Sequence, residues 1–177
     1  MKGLVQIAGI RSLEEARMLL EAGVDWLGFP LRLDFHAEDL PAEEVSGIIA
    51  SLGFGDRAVL ITYLGKAAEI AGLAAMLGCR RVQLHGDIEV AELRRLKNAD
   101  PALFLIKALV VRPGNLDELA GIARDFGPLV DAFITDSWDP QTGASGATGK
   151  THDWNASRRI VESAVKPVIL AGGLTPE

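Results

Sequence analysis

Cysteine and aromatic residues are scarce in this sequence. Its 177 residues include a single cysteine, Cys79, and aromatic side chains make up only 6% of the chain. One thiol cannot form an internal disulfide, and no cluster of cysteine and histidine residues suggests a zinc site. We therefore expect a protein of the reducing cytoplasm that uses neither a metal ion nor an organic cofactor.

Long apolar runs and basic clusters are also missing. No stretch approaches the roughly 20 apolar residues that cross a membrane, and the first apolar run, Leu4–Ile7, is too short for a signal peptide. The 24 acidic and 18 basic residues give a net charge of -6. This balance argues against a nucleic acid or a membrane surface as the partner.

What the sequence does contain is one pattern repeated along its length: a short apolar run, a loop and an amphipathic segment. The apolar runs predict seven strands, at Leu4–Ile7, Trp26–Phe29, Ala58–Tyr63, Arg81–Leu84, Leu103–Ala108, Ala132–Thr135 and Lys166–Leu170. Six helices are predicted between them. Strands that are apolar throughout and alternate with helices are typical of a parallel sheet buried on both faces. We expect an α/β fold, a parallel (β/α)8 barrel of the TIM type, as a single domain over residues 1–177.

Several helix ends are marked by capping residues. Ser12 and Glu15 form a capping box in which Glu15 is expected to reach the backbone N–H of Ser12. Pro41 is expected at the first position of a helix, and Asn115 is expected to cap another. The last residues, Leu174–Glu177, predict one more helix start. Because a closed barrel needs eight strands and eight helices, we expect a C-terminal truncation that lacks the last βα unit. The alternative is a naturally open seven-stranded sheet.

In barrels of this kind, the chemistry lies at the C-terminal ends of the strands. Four segments follow strands in chain order: Gln6-Ile7-Ala8-Gly9-Ile10, Val82-Gln83-Leu84-His85-Gly86-Asp87, Ile134-Thr135-Asp136-Ser137 with a glycine-rich stretch up to Trp154, and Leu170-Ala171-Gly172-Gly173-Leu174. Together they resemble the motifs of phosphoribosylanthranilate isomerase, a (β/α)8-barrel family of tryptophan biosynthesis. The resemblance covers essentially the whole chain.

The resemblance implies an aldose–ketose isomerase, an intramolecular oxidoreductase that performs an Amadori rearrangement of a phosphoribosyl amine. An acid opens the furanose ring by protonating its oxygen, and a base then removes the C2 proton. The match implies that Asp136 is the acid and that Gly172 and Gly173 bind the phosphate. Gly146 and Gly149 would belong to a mobile lid over the substrate.

Two strand ends depart from the family pattern. Ala8 stands where the family has its cysteine base, and Gln6 stands where the family has a lysine. His36 falls near the family arginine that holds the substrate carboxylate. Arg32 lies earlier in the same loop and is a second candidate for that role. A histidine cannot offer the bidentate fork of a guanidinium group.

The proton that a cysteine would remove needs another acceptor. The candidate replacement bases are Asp34, His36 and His85, since a carboxylate or an imidazole can take up a proton. Cys79 is not a replacement, because it precedes the fourth strand at the opposite end of the barrel.

The sequence leaves three functions open. The first is a phosphoribosylanthranilate isomerase with a rearranged base. The second is a diverged paralogue that acts on another phosphorylated sugar amine, and the third is a non-catalytic barrel that binds a phosphorylated metabolite. In all three the partner is a small phosphorylated molecule, and a homodimer is one way to cover the sheet edges that a missing unit would expose.

Overall fold

Parallel strands alternate with helices in the computed structural model of this chain. It describes residues 3–34, 37–141 and 153–174. Three residues of the predicted site, His36, Gly146 and Gly149, lie outside these ranges, as does the predicted helix start after Leu174. The chain divides into two units, Met1–Phe104 and Leu105–Glu177.

The strands lie close to their predicted positions. They are β1 (Gln6–Ala8), β2 (Trp26–Pro30), β3 (Ala58–Thr62), β4 (Arg81–Leu84), β5 (Phe104–Val111), β6 (Ala132–Ser137) and β7 (Val168–Ile169). The helices are α1 (Leu13–Glu21), α2 (Ala42–Leu52), α3 (Ala67–Leu77), α4 (Val90–Ala99), α5 (Leu116–Phe126) and α6 (Trp154–Ser163), with a short 3₁₀ helix at Gly127–Leu129. None of these helices is long and apolar enough to cross a membrane.

Within each unit the strands pair in parallel and in chain order. The first unit contains β1-β2-β3-β4, and the second contains β5-β6-β7. With seven strands and six α-helices in the described residues, the predicted α/β class and the parallel βα pattern are confirmed.

Burial explains why the strands read as unbroken apolar runs. Every residue of β3 and β6 is buried, and so are the first four residues of β2. In the first unit Leu60 of β3 is fully buried, as are Ile70 and Leu77 of α3. A strand covered on both faces has no solvent-facing side chain to break the apolar pattern. Each such side chain contributes about 1.5–3 kcal/mol through burial.

Three helix starts differ in detail from the predictions. The Ser12 hydroxyl accepts the Glu15 N–H at 3.1 Å as expected, but the Glu15 carboxylate accepts the N–H of Arg11, at 2.8 Å, and not that of Ser12. Pro41 precedes the first turn of α2 instead of opening it. Asn115 is the N-cap residue of α5 as predicted, but its side chain bridges Arg112 N–H and Val110 C=O and makes no capping hydrogen bond.

The first turn of α3 is capped by a residue from the next helix. Glu92 of α4 accepts the Ala67 N–H with Oε2 at 3.0 Å, and its Oε1 pairs with Arg95. The N–H bond from Ala67 is the main cause of a lowered Glu92 pKa, and the positive charges of Arg95 and Lys66 act in the same direction against the effect of burial. Glu92 therefore ties α4 to the start of α3 as an ionised group.

Replacing Glu92 with glutamine should lower the urea midpoint of unfolding at neutral pH. The folded-state pKa lies below the unfolded value, so the carboxylate stabilises the fold fully well above its ordinary pKa of 4.5. That contribution is lost as the pH falls through the folded-state pKa. The difference in midpoint between wild type and Glu92→Gln should therefore shrink on acidification. Glu21→Gln, at an exposed position in α1, is the control. A Glu92 difference that persists undiminished in acid would contradict the assignment.

Cys79 is a buried thiol just before β4, at the N-terminal end of the strands. Burial raises its pKa from 9.0 to about 11, and nearby backbone hydrogen bonds only partly offset the rise. A thiol in this environment is neutral at physiological pH. It is also remote from the C-terminal strand ends, so it fits the predicted role of a small packed side chain.

Cys79 should react slowly with an aromatic disulfide reagent in the folded protein. At about pH 8 a thiol with so high a pKa is ionised roughly a hundredfold less than an ordinary thiol, and burial slows the reaction further. The rate should rise to that of a free thiol in denaturing urea. Fast labelling of the native chain would show that the thiol is accessible.

Candidate active site

The first unit presents one concave face on which the predicted strand-one residues lie. A Cβ built on Gly28 would lie 2.7 Å from Ile61 Cδ1 and 3.1 Å from Ala8 Cβ. Ala8 and Ile61 therefore project to the same side of the sheet and share the space that Gly28 leaves open. Because side chains alternate along a strand, Gln6 projects to the same side as Ala8, and Gln83, which pairs with Ile61, projects with it.

A hydrogen bond between β1 and β4 sets the curvature of this face. Gln6 Nε2 donates to Gln83 Oε1 at 2.9 Å. In a flat sheet β1 and β4 would be three strand spacings apart, about 14 Å, with their side chains parallel to each other. The two amides meet only because the sheet curls around this face. The backbone pairing aligns Ala8 with Gly28, Val59 and Arg81. By this pairing Gln83 lies four residues further along the strands than Gln6, yet the two side chains meet, so β1 and β4 are staggered by four residues.

The next layer of the face holds Ala8 and His85. Both strands run in the same direction, so moving two residues along each from the Gln6–Gln83 contact leads to these two positions. The ladder continues this far, since the His85 N–H donates to the Thr62 C=O at 2.9 Å. Ala8 is exposed, whereas His85 is only 8% exposed. The imidazole is thus the titratable group in the layer where the family pattern has a thiol.

Tyr63 flanks His85 at the end of β3. The two ring centroids are 5.1 Å apart with the planes at 55°, and Tyr63 as a residue is half-buried. The Tyr63 N–H donates to the Arg32 C=O at 3.3 Å. A Cβ at Gly86 would lie 2.4 Å from the Tyr63 carbonyl oxygen, so only glycine allows this close approach of the two strand ends. Tyr63 was not among the predicted site residues, although it ends the predicted third strand.

Arg32 follows β2 and is paired with Glu38. Its backbone has a φ of 57°, a strained value for a residue other than glycine. Glu38 holds it there, because Glu38 Oε1 accepts the Arg32 N–H at 2.6 Å and lies 3.3 Å from Nη1. The side chain lines a groove of about 600 Å³ together with Leu64, Ala68, Glu69, Gly72, Leu73 and Met76. Arg32 therefore lies beside α3.

Asp34, the remaining described candidate base, follows Arg32 in an exposed stretch of the same loop. Among the described residues, no group of three or more histidine, cysteine, aspartate or glutamate side chains is arranged to hold a metal ion.

In the second unit Asp136 lies at the C-terminal end of β6. It is 9% exposed and pairs in register with Val110 of β5. Its Oδ1 accepts the N–H of Ser137 at 2.7 Å, which fixes the orientation of the carboxyl group. A carboxyl group here is shielded from solvent yet lies at the end of the strands where substrates bind in this class of fold.

The diglycine turn lies beside Asp136. The β6–β7 register pairs Ile134 with Ile169, and continuing it by two residues brings Asp136 opposite Ala171. The Ala171 N–H donates to Thr135 Oγ1 at 3.2 Å and holds the start of the turn against β6. Gly172 and Gly173 have φ values of 98° and 63°, which only glycine adopts without strain. The turn exposes backbone next to the Asp136 carboxyl group.

Strand register, extended beyond the observed pairs, relates the predicted residues within each unit. Ala8 and His85 share a layer in the first unit, and Asp136 is adjacent to Gly172 in the second. The role of Arg32 in binding stays a prediction. Gln83 and Tyr63 were missed as members of the face, although Gln83 lies within the motif that drew attention to His85.

The comparisons with known proteins agree on one family. The model of the "N-(5'phosphoribosyl)anthranilate (PRA) isomerase" family matches residues 58–177, from the start of β3 onward. The "N-(5'-phosphoribosyl)anthranilate isomerase 2" of Methanosarcina mazei is 35% identical over 175 residues, which cover 98% of this chain and 76% of that protein.

Solved structures show the same fold. The monomers generated from the dimeric phosphoribosylanthranilate isomerase of Thermotoga maritima superpose with a TM-score of 0.76 at 22% identity, over 98% of this chain and 77% of that one. A phosphoribosylanthranilate isomerase in complex with reduced 1-(o-carboxyphenylamino)-1-deoxyribulose 5-phosphate gives 0.65 at 18% identity, over 98% and 89%. The predicted parallel (β/α)-barrel fold is thus confirmed.

The family model spans most of the chain, and the Methanosarcina relative extends the match through β1 and β2. The chain therefore belongs to the N-(5'-phosphoribosyl)anthranilate isomerase family.

Proposed function

We propose that this chain performs the Amadori rearrangement of a phosphoribosyl amine by acid–base catalysis. The observation that carries the proposal is the buried Asp136 carboxyl group beside the Gly172–Gly173 turn. An acid next to an anion-binding turn matches a substrate that has a furanose ring and a phosphate on one small molecule. Family membership supports the same reaction.

In this proposal Asp136 gives a proton to the furanose ring oxygen. The bond from C1 to that oxygen breaks, and C1 becomes the carbon of a protonated imine. A base then removes the C2 proton, which leaves an enolamine. The enolamine takes up a proton at C1 while the C2 hydroxyl loses one, so the product is the 1-amino-2-ketose. Substrate and product are isomers, and the step needs neither oxidant nor cofactor.

His85 is the proposed base. The methyl group of Ala8 cannot accept a proton, and Cys79 is neutral and remote. His85 shares the layer of Ala8, as the contact between Gln6 and Gln83 implies. A neutral imidazole can accept a proton near pH 7. His36, which lies outside the described residues, is the alternative base, and Arg32 or His36 would meet the remainder of the substrate.

The glycine turn is the proposed phosphate site. Backbone N–H groups in a turn with positive φ angles bind anions well because no side chain shields them. Gly146 and Gly149 are proposed to lie in a lid over the same substrate. We further propose that the chain acts in the cytoplasm and, like its Thermotoga maritima relative, as a homodimer.

A second function is favoured by Ala8 alone. Loss of the thiol is the change expected of a barrel that binds a phosphorylated metabolite, or another phosphorylated sugar amine, without converting phosphoribosylanthranilate. The same assay separates this function from the first.

The chain should convert phosphoribosylanthranilate to its ketose isomer, followed by ¹³C NMR of the ribosyl C1 and C2. Asp136→Asn and His85→Gln should each lower kcat/KM by about 10²- to 10⁴-fold, since each removes a proton-transfer group. Cys79→Ala should leave the rate unchanged. Adding Ala8→Cys to His85→Gln should restore turnover, because it returns a base to the same layer. Tight binding without turnover in the wild type would instead establish the second function.

Gly173→Ala should raise KM for the phosphoribosyl substrate by about tenfold. A Cβ at φ 63° strains the turn by roughly 1–2 kcal/mol and obstructs the approach of phosphate. Gly53→Ala is a matched control, because Gly53 has the same φ of 63° but ends α2 at the far end of the strands. The control should lose similar stability with no change in KM. Equal effects on KM in both variants would remove the phosphate role from this turn.

A further inference from the structure

We propose that a buried water molecule joins Arg81 of β4 to Gln6 of β1 inside the first unit, below the layer that holds Ala8 and His85. The water accepts a hydrogen bond from Arg81 Nε and donates one to Gln6 Oε1. This water site is separate from the strand ends at which the proposed reaction takes place, and it does not depend on that reaction.

Two buried polar atoms on the concave face are the first support. Gln6 Oε1 and Arg81 Nε are each shielded from solvent, and neither has a hydrogen-bond partner among the described residues. One is an acceptor and the other is a donor. Buried polar groups in proteins are almost always hydrogen-bonded, and ordered water serves where no protein group is within reach. A complementary pair of such atoms indicates a water site where the two lie close together.

Strand register and a ring contact bring the two side chains close. Gln6 pairs in register with Trp26, so these side chains project from strands about 4.8 Å apart to the same side of the sheet. The Arg81 guanidinium group lies over the Trp26 ring, with Cζ 4.8 Å from the ring centroid. Gln83, two residues after Arg81 on the same face, accepts the hydrogen bond from Gln6 Nε2. The Gln6 amide thus has Gln83 and the guanidinium group as neighbours on the concave face.

Aromatic rings fix the guanidinium group in this position. Its Cζ also lies 5.8 Å from the centroid of Phe104, the last residue of this unit, and the Trp26 and Phe104 rings meet edge to face at 5.5 Å. Cation–π attraction holds the charge beside the rings but supplies no lone pair to the Nε–H group. The rings therefore account for the position of Arg81 and leave its Nε proton to another acceptor.

That acceptor is not a carboxylate of the described residues. Asp56 is the acidic residue whose charge acts on Arg81, but its carboxylate pairs with Arg80 Nε at 3.5 Å. Burial lowers the pKa of Arg81, and the charge of Asp56 offsets only part of that effect. A guanidinium group stays protonated in proteins all the same, so its buried N–H needs a small acceptor from solvent.

A water molecule fits this pair of atoms better than an ion does. Water can accept from Arg81 Nε and donate to Gln6 Oε1 at the same time. An anion would face the amide oxygen, and a cation would face the guanidinium group. The bridge also fixes the orientation of the Gln6 amide, with Nε2 toward Gln83 and Oε1 toward the water. The water therefore supports the contact between Gln6 and Gln83 from below.

A high-resolution crystal structure of the full chain tests the site directly. We expect an ordered water within about 3.2 Å of both Gln6 Oε1 and Arg81 Nε. In solution, ¹⁷O relaxation dispersion should show one long-lived water fewer in Gln6→Met and in Arg81→Met than in the wild type. Arg80→Met is the matched control, because it changes the exposed neighbour of Arg81 and should keep that water.

A charge substitution tests whether the two side chains are neighbours. Gln6→Glu places a carboxylate beside the Arg81 guanidinium group, so it should shift the urea midpoint of unfolding only slightly in the wild-type background. In the Arg81→Met background the same carboxylate is buried without its cation, and the midpoint should fall markedly further. Equal shifts in the two backgrounds would show that the side chains are not in contact range.

Other occupants of this position would overturn the inference. A direct bond between Arg81 Nε and Gln6 Oε1 would leave no place for the water. A halide, recognised by its anomalous signal after bromide exchange, would make the site an anion site. A dry gap in the crystal structure, or equal numbers of long-lived waters in the wild type and both methionine variants, would also count against it. None of these results bears on Asp136 or His85, so the proposed function is tested separately.

Discussion

The hydrogen bond between Gln6 and Gln83 records the constraint on which the chemistry of the first unit depends. It joins β1 to β4 across two intervening strands, so it exists only when the sheet curls tightly enough for side chains on one face to converge. In a flatter sheet Ala8 and His85 would lie on strands about 14 Å apart and could not serve the same substrate atom. Curvature and stagger together turn two distant strand ends into one layer, and Gly28 is part of that geometry because a side chain there would collide with Ile61.

The amide pair also changes the electrostatics below the site. A buried lysine at position 6 would need a counter-charge, whereas the amide of Gln6 is neutral and finds its partner in Gln83. Gln6 Oε1 is buried and meets no hydrogen-bond donor among the described residues, a cost of about 1–3 kcal/mol that the fold accommodates. Relative to the family pattern, the residues at positions 6 and 8 therefore act together. Gln6 removes a positive charge below the site, and Ala8 removes the thiol in the next layer.

The sequence was informative where the determinants are local. Apolar runs and glycine stops predicted all seven strands to within a few residues, and Asp136 and the diglycine turn were recognised because each follows a strand directly. Contacts between side chains on different strands were not predictable, because they depend on curvature and stagger that no local pattern contains. Arg32 illustrates the difference: its place in the loop did not reveal its ion pair with Glu38, six residues later. Glu15 and Asn115 show the same on a smaller scale, since the side chain of each has a different partner from the one expected.

The proposed move of the base from β1 to β4 is physically economical in this fold. A thiol must lose its proton before it can accept one, and in water it does so near pH 8.5, whereas an imidazole is largely neutral at pH 7. Imidazole is also larger, and a barrel layer has a fixed volume, so a large side chain on one strand requires a small one on the strand that faces it. In the proposed site Ala8 leaves space in the layer of His85, and the Tyr63 ring lies 5.1 Å from the imidazole between ring centroids. On this argument the alanine is part of the arrangement that admits the histidine, and restoring a cysteine beside an intact His85 would crowd the layer without adding a second useful base.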